Sequence, residues 1–216
     1  MIFKNRGSRR NRCNCRVNCA ISILAGGLST RMGRDKARLR LGANTLLTTI
    51  NHEARRLGLP VRIIRRDLVP RCGPLGGIYT ALKTSKAAAE LFLACDMPFV
   101  STDLLASLLE TWKTAPGPVF MVFQEKAGFP FVLPAQSLAK VEGQIRAKRF
   151  SLQRLAESLK ASFLHPAPEH ESQLFNINTA KDWEVARQRL ATPKSSATPV
   201  SYTQKAGKSL SRRDFR

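Results

Sequence analysis

The stretch ILAGGLSTRMGRDK, Ile23 to Lys36, ends an apolar run in two glycines and then supplies two arginines, a third glycine and an Asp-Lys pair. Just upstream, CAISIL from Cys19 to Leu24 is a short isoleucine-containing run that stops abruptly at Gly26-Gly27. That is how a strand buried on both faces meets its loop in a parallel sheet. A strand, then glycines, then a helix brings backbone N–H groups and a positive dipole end to one point, which suits an anion. Glycine matters there because a Cβ would hold a phosphate away from the backbone. Arg31 and Lys36 add the side-chain charge that a triphosphate needs. Gly27 and Gly33 are separated by five residues and Arg34 follows, so the pattern is neither a P-loop nor Gly-x-Gly-x-x-Gly. Taken alone, a structural turn remains open beside the phosphate reading.

Outward from this stretch, helical and extended patterns alternate. TLLTTINHEARRLG from Thr45 has helical spacing and stops at Gly58, PVRII from Pro60 reads as a strand, and IYTALKTS after the GPLGG loop reads as a helix. AELFLACDMPFV from Ala89 is an apolar strand ending near Asp96, and STDLLASLLETWK opens with a Ser-Thr-Asp cap. PVFMVF and FPFVLP read as strands around a tight polar turn, and SLQRLAESLK and TAKDWEVARQRLA as amphipathic helices. Such alternation predicts an α/β fold with a mostly parallel sheet flanked by helices and ligands at the carboxyl ends of the strands. The expected organisation is a basic arm over 1–18, one domain over 19–191 and a basic, disordered tail over 192–216.

The formal charge of +21 is concentrated at the ends: residues 1–18 hold six Lys and Arg and no acid, and 192–216 hold six against Asp214 alone. The middle stays basic, which suits a polyanionic small ligand and would also suit RNA. Neither end interleaves aromatics with its charge, so solvated tails are the expectation and nucleic acid is not. An Arg-rich, acid-free start also resembles an organelle transit segment. No run approaches the roughly 20 apolar residues of a membrane span, and the expectation is a cytoplasmic protein without a membrane partner. Cys13, Cys15 and Cys19 cluster without a Cys-x-x-Cys pair, so an incidental group is expected rather than a metal site.

Three further constellations share the expected rim. RCGPLGG places Gly73, Gly76 and Gly77 before a helix, a second place for close backbone approach to a ligand. LACDMP puts Asp96 at the end of an apolar strand, where a carboxylate is costly unless paired or bound to a cation; a magnesium ion shared with phosphate oxygens would satisfy it, and capping the next helix is the alternative. LFNINTAKDW offers the amides of Asn176 and Asn178 as neutral ligands to a metal or sugar, or as ordinary helix caps.

The four motifs LAGGLSTRMGRDK, GPLGGI, LACDMPF and FNINT, in that order, closely resemble those of the molybdenum cofactor guanylyltransferases of the nucleotidyltransferase superfamily, over roughly residues 20–190. The resemblance implies a Rossmann-like nucleotidyltransferase fold and a cytoplasmic, magnesium-dependent enzyme that uses GTP. It would join GMP to the phosphate of molybdenum-molybdopterin and release pyrophosphate, with molybdoenzymes or their chaperones as further partners. By the same resemblance Leu24, Ala25, Gly26 and Gly27 line the nucleotide pocket with Gly76, and Lys36 holds the triphosphate beside Arg31. Asp96 is the Mg²⁺ ligand, Asp67 and Asn51 contact the nucleotide, and Asn176 and Asn178 contact substrate or a second metal. The family's usual course includes one more strand between the first helix and GPLGG, and this chain is short there by about one helix–strand unit. Ala180 stands where the family commonly has proline. A cytidylyl or sugar-phosphate transferase, or a non-catalytic binding protein of the same fold, are the alternatives; LAGG in place of LAAG, with GPLGG, favours guanine.

Overall fold

The computed structural model describes residues 18–26 and 36–191, with the backbone alone for Lys36. The apolar run becomes strand β1 (Cys19–Leu24), followed after the undescribed residues by a single 3-10 turn at Lys36–Arg38. A two-strand hairpin, β2 (Arg40–Leu41) and β3 (Asn44–Thr45), turns at Gly42 with φ of 68° and leads into helix α1 (Leu46–Arg55). The chain continues through β4 (Val61–Ile64), α2 (Pro74–Thr84), β5 (Ala89–Ala94), α3 (Thr102–Thr114), β6 (Val119–Phe123) and β7 (Lys126–Pro134). Helices α4 (Leu138–Arg146) and α5 (Leu152–Ser158), strand β8 (Ser162–Leu164), and helices α6 (Pro168–Glu171) and α7 (Ala180–Ala191) complete the described chain.

The six-stranded sheet runs β4-β1-β5-β7-β6-β8. β1 pairs in parallel with both β4 and β5, β7 is antiparallel to β5 and β6, and β8 runs parallel to β6. β1 is therefore internal, which is why five of its six residues are buried and why its sequence is apolar at every position but Ser22. One sheet face packs on α1 and α3 through Ile21, Ile23, Leu47, Ile50 and Leu105; the other packs on α2, α4 and α5 through Ile78, Phe92, Phe131, Val141 and Leu155. A third cluster, Leu41, Leu46, Ile177 and Ala186, joins the hairpin to α7.

α1 runs into a single strand, β4, which lies at the sheet edge, so the short stretch before GPLGG leaves β1 with a direct neighbour on each side. A polar clamp crosses these three strands. Arg62 of β4 donates to the buried Glu90 of β5 at 2.9 Å, and Ser22 of β1 donates to the same carboxylate at 2.6 Å. Arg62 also reaches the Ala81 carbonyl of α2 at 3.0 Å. Leaving Glu90 buried without Arg62 would cost about 3–5 kcal/mol, so the clamp holds the strands that carry the site in register.

Cys19 lies in β1, where burial first and the Glu90 carboxylate second push its thiol up to about 12. A thiol so hard to deprotonate is a poor metal ligand. Cys13 and Cys15 lie outside the described residues. No helix among the described residues is long and apolar enough to cross a membrane.

Candidate functional site

The carboxyl ends of β4, β1 and β5 form one rim, held together by backbone bonds: Ala25 N–H to Ile64 C=O at 2.9 Å and Cys95 N–H to Leu24 C=O at 3.2 Å. Leu24 and Ala25 are half-buried and Gly26 is exposed at the rim. Gly27, Arg31 and the side chain of Lys36 lie outside the described residues. A Cβ on Gly26 would come 2.8 Å from the Arg65 carbonyl oxygen, so this glycine is required by the chain itself, in addition to any use a ligand makes of it. The helix N-terminus expected directly behind the glycines falls outside the described residues; the first described α-helix after β1 starts at Leu46, and the described helix end that meets the rim is that of α2.

α2 starts earlier than the spacing of IYTALKTS suggests. Gly73, with φ of 56°, is its N-cap and Pro74 opens the first turn, where a missing N–H costs nothing. Gly76 and Gly77 therefore sit inside the helix, and the reason is Asp67. A Cβ on Gly76 would meet Asp67 Oδ2 at 2.6 Å and the Val69 carbonyl oxygen at 2.7 Å, and one on Gly77 would meet both Leu24 methyls at 3.1 Å. The close backbone approach expected of this loop is thus first an approach to its own chain. Asp67 is half-buried, and burial pushes its carboxyl above the ordinary aspartate range. Among the described residues it receives no hydrogen bond, so a ligand bearing N–H or O–H donors would supply what the fold withholds.

At the other end of the rim Asp96 follows β5, half-buried between Cys95 and Met97. It does not cap α3: Ser101 does, accepting from Leu104 N–H at 3.3 Å, and Glu53 of α1 accepts from Thr102 N–H at 2.9 Å. The capping alternative for Asp96 is removed. Burial alone would raise the Glu53 carboxyl, but the hydrogen bonds from Thr102, with help from Arg56, outweigh it and hold the group below its ordinary range.

The FNINT segment returns to this point. Ile177 N–H donates to the Asp96 carbonyl at 2.9 Å, so Asn176 and Asn178, both exposed, flank the residue bonded to Asp96. The cap of α7 is made by the next residues instead. Thr179 Oγ1 accepts from Asp182 N–H at 3.1 Å, while the Asp182 carboxylate accepts from the N–H groups of Asn178 and Thr179 at 2.9 and 2.8 Å. This reciprocal box starts the helix at Ala180 without a proline. Arg189 of α7 stacks over Phe175, 4.3 Å from its ring centre, and fixes the segment from behind. Nothing in the motif spelling announces that stacking, nor the main-chain bond at Ile177.

Asn51 lies within α1, where its Oδ1 is buried without a hydrogen-bond partner. No group of three His, Cys, Asp or Glu side chains is gathered as a metal cage among the described residues. Asp96 with neighbouring amides instead fits magnesium, which is commonly held by one or two carboxylates together with substrate phosphates and water.

A probable molybdenum cofactor guanylyltransferase of Opitutus terrae is 31% identical, covering 79% of this chain and 95% of the relative. One from Carboxydothermus hydrogenoformans is 30% identical over 77% of this chain and 94% of its own. Among solved structures, molybdopterin-guanine dinucleotide biosynthesis protein A from Archaeoglobus fulgidus superposes with a TM-score of 0.64 at 19% identity, covering 80% of this chain and 98% of that one. The 2-C-methyl-D-erythritol 4-phosphate cytidylyltransferase from Thermus thermophilus has a TM-score of 0.59 at 17% identity, covering 80% and 98%. Both share the nucleotidyltransferase fold. The sequence pattern of the MobA-like NTP transferase domain matches residues 21–162, and with these relatives it places the chain in the MobA-like NTP transferase family.

Proposed function

We propose that the protein transfers GMP from GTP to the terminal phosphate of molybdenum-molybdopterin and releases pyrophosphate. The observation that carries the reading is the rim itself: Asp67, in the loop packed against the first turn of α2, and Asp96, tied to the FNINT segment, stand at opposite ends of the β4-β1-β5 edge. It is supported by guanylyltransferase relatives that match this chain over nearly their whole length.

In this reading a molybdopterin phosphate oxygen attacks the α-phosphorus of GTP in line, a P–O bond forms, and the α–β anhydride bond breaks with pyrophosphate taking the electron pair. No side-chain nucleophile is required; positioning and charge stabilisation do the work. Asp67 accepts from the nucleotide's donors, Leu24, Ala25, Gly26 and Gly27 with Gly76 shape the pocket, and Arg31 and Lys36 neutralise the triphosphate. Asp96 would hold Mg²⁺, and Asn176 and Asn178 would contact the ion or the acceptor. When bound, the ion supplies charge neutralisation on the phosphates. The basic middle of the chain lowers the repulsion between two anionic substrates.

The test is pyrophosphate release by the full chain with Mg²⁺ and molybdate-loaded molybdopterin, comparing GTP with CTP. Release with GTP alone is expected. Release with CTP instead, or with neither while a control enzyme works, would overturn the proposal. Asp96→Ala should abolish turnover.

A further inference from the structure

The loop between β4 and α2 carries three arginines, Arg65, Arg66 and Arg71, all exposed and without side-chain hydrogen bonds or ion pairs among the described residues. Elsewhere along this edge the guanidinia are engaged, Arg56 with Glu53 and Arg62 with Glu90. Asp67 lies in the same loop, half-buried and without an ion pair to any of the three. Their charge is available to something else.

Arg65 differs from the other two in its place. Its carbonyl oxygen, carbonyl carbon and Cα lie 2.8, 3.1 and 3.6 Å from where a Gly26 Cβ would be, so its backbone is pressed onto the glycine turn after β1. It stands two residues before Asp67 across a bend at Arg66, so the two backbones are at most about 7 Å apart. A base whose donor edge reaches Asp67 therefore presents its next edge within the reach of an arginine at 65. Guanine has N–H donors on one edge and, adjoining it, the O6 and N7 acceptors, which a guanidinium grips with two bonds. Cytosine has no N7, and adenine carries a donor where guanine has O6.

Resting on the GTP reading above, we propose that Arg65 is a specificity-determining contact that reads the O6 and N7 edge of guanine, while Asp67 reads the donor edge. The contact exists because β4 feeds straight into the nucleotide loop. The triphosphate then falls toward Gly26.

The experiment is calorimetric titration of the full chain, without acceptor, with GTP, 7-deaza-GTP (which lacks N7), ITP (which lacks the 2-amino group) and inorganic tripolyphosphate. Wild type, Arg65→Gln, Arg65→Lys and Arg66→Gln are compared, with kcat and KM of pyrophosphate release measured in parallel. Wild type should bind 7-deaza-GTP about tenfold more weakly than GTP. Arg65→Gln should lose roughly ten- to hundredfold in GTP affinity, cease to distinguish 7-deaza-GTP, and keep the ITP penalty and the tripolyphosphate affinity. KM should rise with kcat little changed. Arg65→Lys should recover part of the loss, and Arg66→Gln should behave as wild type. Equal losses for GTP, 7-deaza-GTP and tripolyphosphate would make Arg65 a phosphate contact and overturn the proposal, as would unchanged GTP binding. GTP bound but never transferred would sink the proposed activity and leave the Arg65 comparison readable. No GTP binding by wild type would sink both.

Discussion

Gly76→Ala and Gly143→Ala are the same substitution inside helices, and the structure predicts opposite signs. In α4 a Cβ on Gly143 meets nothing within 4 Å, so alanine should add only its helix propensity, about 1 kcal/mol. In α2 the Gly76 Cβ would lie 2.7 Å from the Val69 carbonyl oxygen, a backbone atom that cannot rotate away, and 2.6 Å from Asp67 Oδ2. Overpacking of this kind costs roughly 1–3 kcal/mol. The propensity gain is shared, so the difference between the two variants is the overpacking alone, about 1–3 kcal/mol. At about 2–4 °C per kcal/mol for a chain of this size, Gly76→Ala should melt roughly 2–12 °C below Gly143→Ala. Circular dichroism melts measure the gap, and GTP titration should show Gly76→Ala weakened and Gly143→Ala unchanged. Adding Asp67→Ala to Gly76→Ala should recover only part of the melting temperature, because the Val69 contact remains. A Gly76→Ala protein that melts at or above Gly143→Ala would refute the claim that this glycine makes room for the Asp67 loop.

Asp67→Asn should flatten the acid-side pH dependence of stability. Burial raises this carboxyl in the folded chain, so the fold disfavours its ionised form: the penalty is absent below the ordinary aspartate pKa and complete above the raised one. Chemical denaturation across that window should show wild type losing stability relative to Asp67→Asn as pH rises, while the variant loses GTP affinity; parallel profiles would count against the assignment. Glu53 has the opposite sign. Its folded pKa is depressed, so its contribution is present above the ordinary glutamate pKa and is lost as pH falls through the depressed value. Glu53→Gln should therefore be less stable than wild type near neutrality and converge with it in acid, and a constant offset at every pH would contradict the cap on α3.

The α/β order and the place of the rim were legible because β1 and β5 are buried on both faces and spell themselves as apolar runs, interrupted only by Ser22 and Glu90, leading to Gly26 and Asp96. The cap at Ser101 was legible because the Ser-Thr-Asp opening puts a hydroxyl where it accepts from its own first turn; Thr45 and Ser151 cap α1 and α5 in the same way without having been read as caps. What the letters hid is non-local. The start of α2 before its glycines depends on Asp67 lying over them, and the two-residue strands β2 and β3 are too short to show a period. Helix α4, with a mixed LAKVEGQIR, buries only Val141 and Gln144 and has little stripe to read. The asparagines spelled either ligands or caps, and the cap of α7 is filled by Thr179 and Asp182.

The bond from Ile177 N–H to the Asp96 carbonyl joins two main-chain atoms far apart in sequence. During synthesis, β1, β4 and β5 can leave the ribosome and pair long before that partner exists, so the rim is assembled early and locked late. A nascent or prematurely ended chain would carry Asp96 without its tether, folded in its sheet yet unfinished where chemistry is to happen. Because the tether is backbone, side-chain scanning will pass over it; deletion or proline at Ile177 is the change that would expose it.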